Sequence, residues 1–206
     1  NNVVNNSLIY AIHIGGVSDA FRYLHIQDIA GNSGTGNDVS TIILNHIRLA
    51  SDASLSANEL AYNFSYLFID QGKTLTIEAG SLIKLLGSSS YPMYVYGNLN
   101  IAGTQDEPVI ITSMKDDTYG GDTNGDGNAT SPQNQDWSKI LIYTTGKASI
   151  DHAIIRYGSR AIEMNSTTTT TAPELRITNS RIENSYYGVY AEDFASLELE
   201  GNTFDG

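Results

Sequence analysis

The residues best suited to chemistry lie together between Ser113 and Trp137, where five of the chain's 23 acidic side chains fall in one stretch. Within it, Asp122-x-Asn124-x-Asp126-Gly127-Asn128 sets oxygen ligands at alternate positions, and its glycines let the backbone fold round an ion and offer carbonyls. This is the first half of the calcium-loop pattern D-x-[DN]-x-[DN]-G. The second half is absent: the twelfth position counted from Asp122 is Gln133 rather than Glu, and no helical period flanks the loop, which excludes an EF-hand. Calcium takes roughly six to eight oxygens, so Asp116, Asp117, Asp136, backbone carbonyls or water must complete the set. The alternative is a solvated Asx/Gly turn with no ion. A long, self-repelling insertion is mobile unless something orders it. Neutralising its carboxylates turns it into a flap against the fold, so the expected role of Ca2+ is structural.

Other candidates are weaker. Arg156 and Arg160 flank Tyr157-Gly158 and could reach an anionic substrate, or pair with neighbouring carboxylates. The four histidines and the serines offer no nucleophile spacing. Tyr94 and Tyr96 alternate with Met93 and Val95, which points both rings outward from one strand, and Tyr186, Tyr187 and Tyr190 cluster on another. Exposed aromatic rings stack on sugars, and they also stack on neighbouring strands. The run Thr167 to Thr171 reads as a plain loop, since no Thr-x-Thr array recurs.

The elements that must carry these residues are short strands. Leu67–Leu86, Tyr94–Gly103 and Pro108–Ser113 are runs of β-branched and aliphatic residues closed by Gly, Asn or Ser, with no helix-length apolar period between them. Three later segments align on their apolar residues: Ile150-Asp-His152-Ala-Ile-Ile155, Ile177-Thr-Asn179-Ser-Arg-Ile182 and Leu199-Glu-Gly201-Asn-Thr-Phe204. His, Asn and Gly differ in chemistry but share tolerance of positive φ, so the position two after the first apolar residue is a bend. Ile155 to Ile162 and Ile182 to Val189 continue the register seven residues on. Successive copies are 27 and 22 residues apart, with the excess absorbed by the threonine run. Leu44-Asn-His46-Ile-Arg-Leu49 reads as an earlier copy, with His46 at the same bend.

Gly72-Lys-Thr-Leu-Thr-Ile-Glu-Ala-Gly80, Gly97-Asn-Leu-Asn-Ile-Ala-Gly-Thr104, Pro108-Val-Ile-Ile-Thr-Ser113 and Gly120-Gly-Asp-Thr-Asn-Gly-Asp-Gly127 with Trp137 resemble bacterial right-handed parallel β-helix proteins of the pectin-lyase-like superfold. They are most similar to modules of secreted or surface-anchored proteins. The resemblance covers about Leu67 to Gly206, and Ala79 stands where such modules usually carry Pro. It implies an all-β solenoid and an extracellular or cell-surface, bacterial setting. The superfold hosts lyases, hydrolases, adhesins and inert spacers alike. Its lyases, as the resemblance implies, use calcium with a Lys or Arg base on acidic sugars, and its hydrolases use aspartates with Gly-His-Gly and Arg-Ile-Lys elements. Here no histidine lies between glycines, Arg176-Ile177 and Arg181-Ile182 lack the lysine, and Asp116-Asp117 lies in the insertion rather than on a rigid strand.

Composition sets the outer bounds. A 206-residue chain with 40% hydrophobic residues supports a sizeable core. With no cysteine, disulfides and thiolate metal sites are excluded. A net charge of −12 with only 11 Lys and Arg argues against nucleic acid and anionic membrane surfaces, and no apolar run reaches the ~18 residues of a spanning helix. The start lacks the basic and apolar regions of a signal peptide.

The reading is therefore an all-β, right-handed parallel β-helix over 61–206, incomplete at its C-terminal end, with the acidic insertion at 114–136. Residues 1–60 supply strands that are either early coils or a cap. The expected function is a non-catalytic calcium-binding module that serves as spacer, adhesin or glycan contact. The alternatives are a fragment of a calcium-dependent polysaccharide lyase and a self-assembling fibre subunit. Polysaccharide, further domains of the same protein, or end-to-end self-association are the partners this implies.

Overall fold

The computed structural model describes residues 2–15, 22–26, 29–87, 92–166, 171–192 and 196–206, so most of the threonine run, 167–170, lies outside the described residues. The N-terminal strands are β1 (Tyr10–Gly15), β2 (Arg22–Leu24), β3 (Val39–Leu49), β4 (Ala53–Leu55) and β5 (Ala61–Ile69). Then come β6 (Thr74–Glu78), β7 (Leu82–Leu85), β8 (Met93–Val95), β9 (Asn98–Ala102) and β10 (Val109–Ser113). Beyond the acidic insertion stand β11 (Trp137–Tyr143), β12 (Lys147–Asp151), β13 (Ala153–Arg156), β14 (Gly158–Asn165) and β15 (Glu174–Thr178). The last four are β16 (Arg181–Glu183), β17 (Tyr187–Ala191), β18 (Ser196–Glu200) and β19 (Thr203–Asp205). No helix occurs among the described residues.

The chain is all-β, and each strand pair among the described residues is parallel. The strands form two long, nearly closed, barrel-like sheets. The smaller runs β18-β15-β12-β9-β6-β4. The larger contains two ladders, β7-β10-β13-β16-β19 and β8-β11-β14-β17, which meet at β5 because that long strand pairs with β7 through Tyr62 and with β8 through Leu67 to Ile69. β1, β2 and β3 extend the larger sheet and β4 the smaller, so the strands of the first sixty residues belong to the same two sheets.

The predicted register appears in the pairing. Ile150 lies opposite Ile101 and Ile177, and Ile177 opposite Leu199. Ile155 lies opposite Ile111 and Ile182, and Ile182 opposite Phe204. Ile162 lies opposite Ile140 and Val189. Stacking like on like gives one apolar cluster fed by all three ladders, including Ile77, Ile101, Ile83, Ile111, Val95 and Ile142.

The bend positions also behave as read. His152, Asn179 and Gly201, between the two sheets, have φ of 48°, 49° and 66°. His46 does share a positive φ, 54°, but it is not at their corner. β3 pairs in the larger sheet, and His46 sits between the part of β3 facing the β7 ladder and the part facing the β8 ladder. There it is opposite Tyr66 (φ 57°), the rings 4.7 Å apart. The correction has a simple cause: any sharp turn selects positive φ, so the signal marks a corner without saying which one.

Candidate functional site

At the end of β10 the chain leaves the sheet and both ends of the insertion are fastened to that strand. Thr112 Oγ1 donates to Asp116 Oδ2 at 2.5 Å and Ser113 Oγ to Asp136 Oδ2 at 2.7 Å. Asp116 is fully buried and also accepts from Thr118 and from Arg156 Nη1, 3.2 Å away on β13. Arg156 pairs in turn with Glu183 at 2.9 Å. Asp136 takes Lys115 Nζ at 2.6 Å and the Gln133 amide at 3.0 Å. Just past it, Trp137 is fully buried and its indole N–H donates to the Arg156 carbonyl at 2.7 Å.

Between these fastenings the chain crosses the outer face of the sheet towards β3. Lys84 on β7 is fully buried, and its ammonium donates to the Gly121 carbonyl at 2.7 Å. Burial pushes its pKa down, against the pull of Asp117, Asp116 and Asp122. Further on, the Ser40 amide donates to the Thr123 carbonyl at 3.1 Å. A Cβ at Gly125 would lie 2.2 Å from the Asp38 carbonyl oxygen, so only glycine lets the two backbones approach so closely.

The Asp122 carboxylate folds the tip by accepting the amides of Gly125, Asp126 and Gly127 at 2.8, 3.2 and 2.7 Å. Asn124 Nδ2 donates to Asp126 Oδ2 at 2.9 Å, and Thr130 Oγ1 donates to the same oxygen. The Thr130 hydrogen bond lowers the Asp126 pKa. Burial, followed by the nearby Asp122 carboxylate, raises that of Asp117.

Three oxygens of the sequence-predicted set are shielded from solvent and accept no hydrogen bond: Asp117 Oδ1, Asn124 Oδ1 and Asp126 Oδ1. Buried acceptors without donors are uncommon, and hard oxygens of this kind suit a cation. Among the described residues no three carboxylates or histidines converge on one point, so a bound ion would draw on the Asn124 carboxamide and backbone carbonyls besides Asp117 and Asp126. Asp116 and Asp136 already accept from protein donors. Asp122 is exposed, with its carboxylate turned to the loop amides, and Asn128 is exposed.

The tyrosines separate into two settings. Tyr94 and Tyr96 stand on the outer side of the β8 ladder but are half-buried, because Phe68 on β5 stacks on them at 4.3 and 6.4 Å. Arg48 caps Phe68 at 4.4 Å. Tyr186 and Tyr187 are exposed and meet edge to face at 4.8 Å, with Tyr190 5.5 Å from Tyr187 and covered by Arg160 at 4.1 Å. Arg160 also pairs with Glu163 at 2.8 Å, so both arginines weighed for substrate binding have carboxylate partners.

Sequence reasoning did not single out Lys84. Its only signal is a lone cation in the apolar run Leu82-Ile-Lys-Leu-Leu86. Compared with protein-family models, curated proteins and solved structures, the chain matches none.

Proposed function

We propose that this chain is a calcium-ordered, non-catalytic module of right-handed parallel β-helix type from a secreted or cell-surface protein, acting as a rigid spacer, adhesin or glycan contact. The helix reading draws support from three all-parallel ladders whose equivalent residues, such as Ile150, Ile177 and Leu199, recur at steps of 27 and 22. Right-handed crossover is the strong preference for parallel connections. The observation that carries the calcium reading is the trio of orphaned oxygens on Asp117, Asn124 and Asp126. An ion there gives those three oxygens a partner and offsets the mutual repulsion of Asp117, Asp122 and Asp126.

Calcium titration by calorimetry, paired with thermal unfolding in calcium and in chelator, tests this. Binding heat is expected, and free calcium at about 100 times Kd should stabilise by about 2.7 kcal/mol, a rise in Tm of several degrees for a chain of this size. No heat and no shift at millimolar calcium would remove the calcium reading.

End-to-end association with a further copy is a second reading. It is favoured by one observation: Leu197, Leu199 and Phe204 on the outermost strands are 43%, 44% and 47% exposed, although their ladder equivalents are core. Light scattering over a concentration series tests it, and a constant monomer mass would sink it.

A further inference from the structure

The crossing of the flap leaves a cleft of about 380 Å³ between Asn124 and the outer face of β3 and β5, with Tyr10, Asn45, Asn63 and Leu86 among its walls and Thr41 at its floor. That volume falls in the roughly 300–1,000 Å³ range of small-ligand sites. The chemistry of the lining is specific. Its polar groups are carboxamides and hydroxyls, and among the described residues no Lys, Arg, His, Asp or Glu lines it. Asn63 is oriented by donating Nδ2 to the Lys84 carbonyl at 2.7 Å, which leaves its Oδ1 as an acceptor. Asn45 is oriented by a 2.8 Å hydrogen bond between its Oδ1 and His46 Nδ1, which leaves its Nδ2 as a donor. Thr41 is fully buried, yet its hydroxyl has no partner. Tyr10, 41% exposed, lies at one end of the cleft with its ring edge-on to His13 at 5.8 Å, and the exposed Leu86 lies three strands away at the other.

A charged ligand finds no counter-charge here, and burying it unpaired is costly. A purely apolar ligand leaves the two carboxamides desolvated without partners. A ring that is apolar on its face and hydroxylated at its rim meets both requirements. We propose that this cleft binds a neutral glycan of several units, one sugar stacked on Tyr10 and another against Leu86, with hydroxyls paired to Asn45 and Asn63. The site rests on the calcium reading only through the flap wall that carries Asn124.

The test is titration of the full chain with neutral tetrasaccharides of β-linked glucose, mannose and xylose, and with digalacturonate, each in calcium and in chelator. At least one neutral tetrasaccharide should bind with millimolar or tighter Kd in calcium, and amide shifts should move at Tyr10, residues 41–45 and residues 63–65. Tyr10→Ala and Asn45→Ala, checked for unchanged Tm, should each weaken that binding by up to about tenfold, the scale of one lost hydrogen bond or ring contact. Failure of every neutral tetrasaccharide to bind, preference for digalacturonate, or wild-type affinity in both variants overturns the proposal. The heat of calcium alone, recorded separately, keeps the two readings apart. Sugar binding without calcium heat sinks the ion and leaves the cleft, whereas calcium heat without sugar binding does the reverse.

Discussion

The Lys84 ammonium, sealed beneath the flap, donates to the Gly121 carbonyl at 2.7 Å and so ties the acidic loop to the sheet it crosses. Its burial depends on the loop lying over it, and the loop's carboxylates depend on its charge. Lys84→Met keeps most of the stem and removes the charge. It should destabilise the chain by about 2–3 kcal/mol, since it leaves the Gly121 carbonyl unpaired and Asp117 without its neighbouring cation. Urea denaturation reads the loss, and a neutral result would show that the tie contributes nothing net.

The Asp116–Arg156–Glu183 cluster makes a second tie, at the root of the insertion. Arg156→Leu leaves the fully buried Asp116 carboxylate without a cation, while Glu183 keeps Arg181, and should cost about 3–5 kcal/mol. A double-mutant cycle with Asp116→Asn should recover part of that cost, because the second change removes the stranded charge.

The corner residues separate bend from chemistry. His152, at φ 48°, should accept Gly with little change, whereas Val should cost about 1–3 kcal/mol because a β-branched residue fits the left-handed region poorly. If His152→Gly and His152→Val were equally damaging, the imidazole itself would matter, and denaturation midpoints decide between them.

Asp151 gives a pH signature. Burial pushes its pKa up, but hydrogen bonds from Thr178 and Asn179 and the adjacent His152 outweigh this and hold it at about 2. Its pKa is therefore below the unfolded value of about 3.9. The unfolded chain binds more protons between those values, so the contribution is present above pH ~4 and is lost as pH falls towards 2. The carboxylate is 42% exposed, so the effect should be under about 1 kcal/mol. Asp151→Asn should flatten the acid limb of the stability curve by that amount, and an unchanged limb would refute the assignment.

How far the sequence could be read follows from which interactions are local. The isoleucine spacing gave the pairing of β12, β15 and β18 and the positive φ at His152, Asn179 and Gly201, because apolar period and backbone sterics act within a few residues. The seven-residue step from Ile155 to Ile162 and from Ile182 to Val189 also marked the two ladders of the larger sheet, but the same division was hidden in the early strands. β3 and β5 turn their corner at His46 and Tyr66 with no glycine or loop to mark it. Alternation correctly sent Tyr94 and Tyr96 to the outer side, but it is silent on what a neighbouring strand places there, so Phe68 came as new information. The composition of the acidic insertion was plain, yet its path over β7 towards Asp38 depends on Lys84, and a buried lysine cannot be recognised until its cover is known.

Like-on-like stacking constrains how such a chain can lengthen or shorten over evolutionary time. Deleting Ser149 from β12 would put Ala148 and Ile150 on opposite faces and expel one of them from the interior, whereas gain or loss of a whole repeat returns every column to a compatible neighbour. Viable changes in length within the ladders are therefore quantised, and single-residue drift is confined to corners and to the flap.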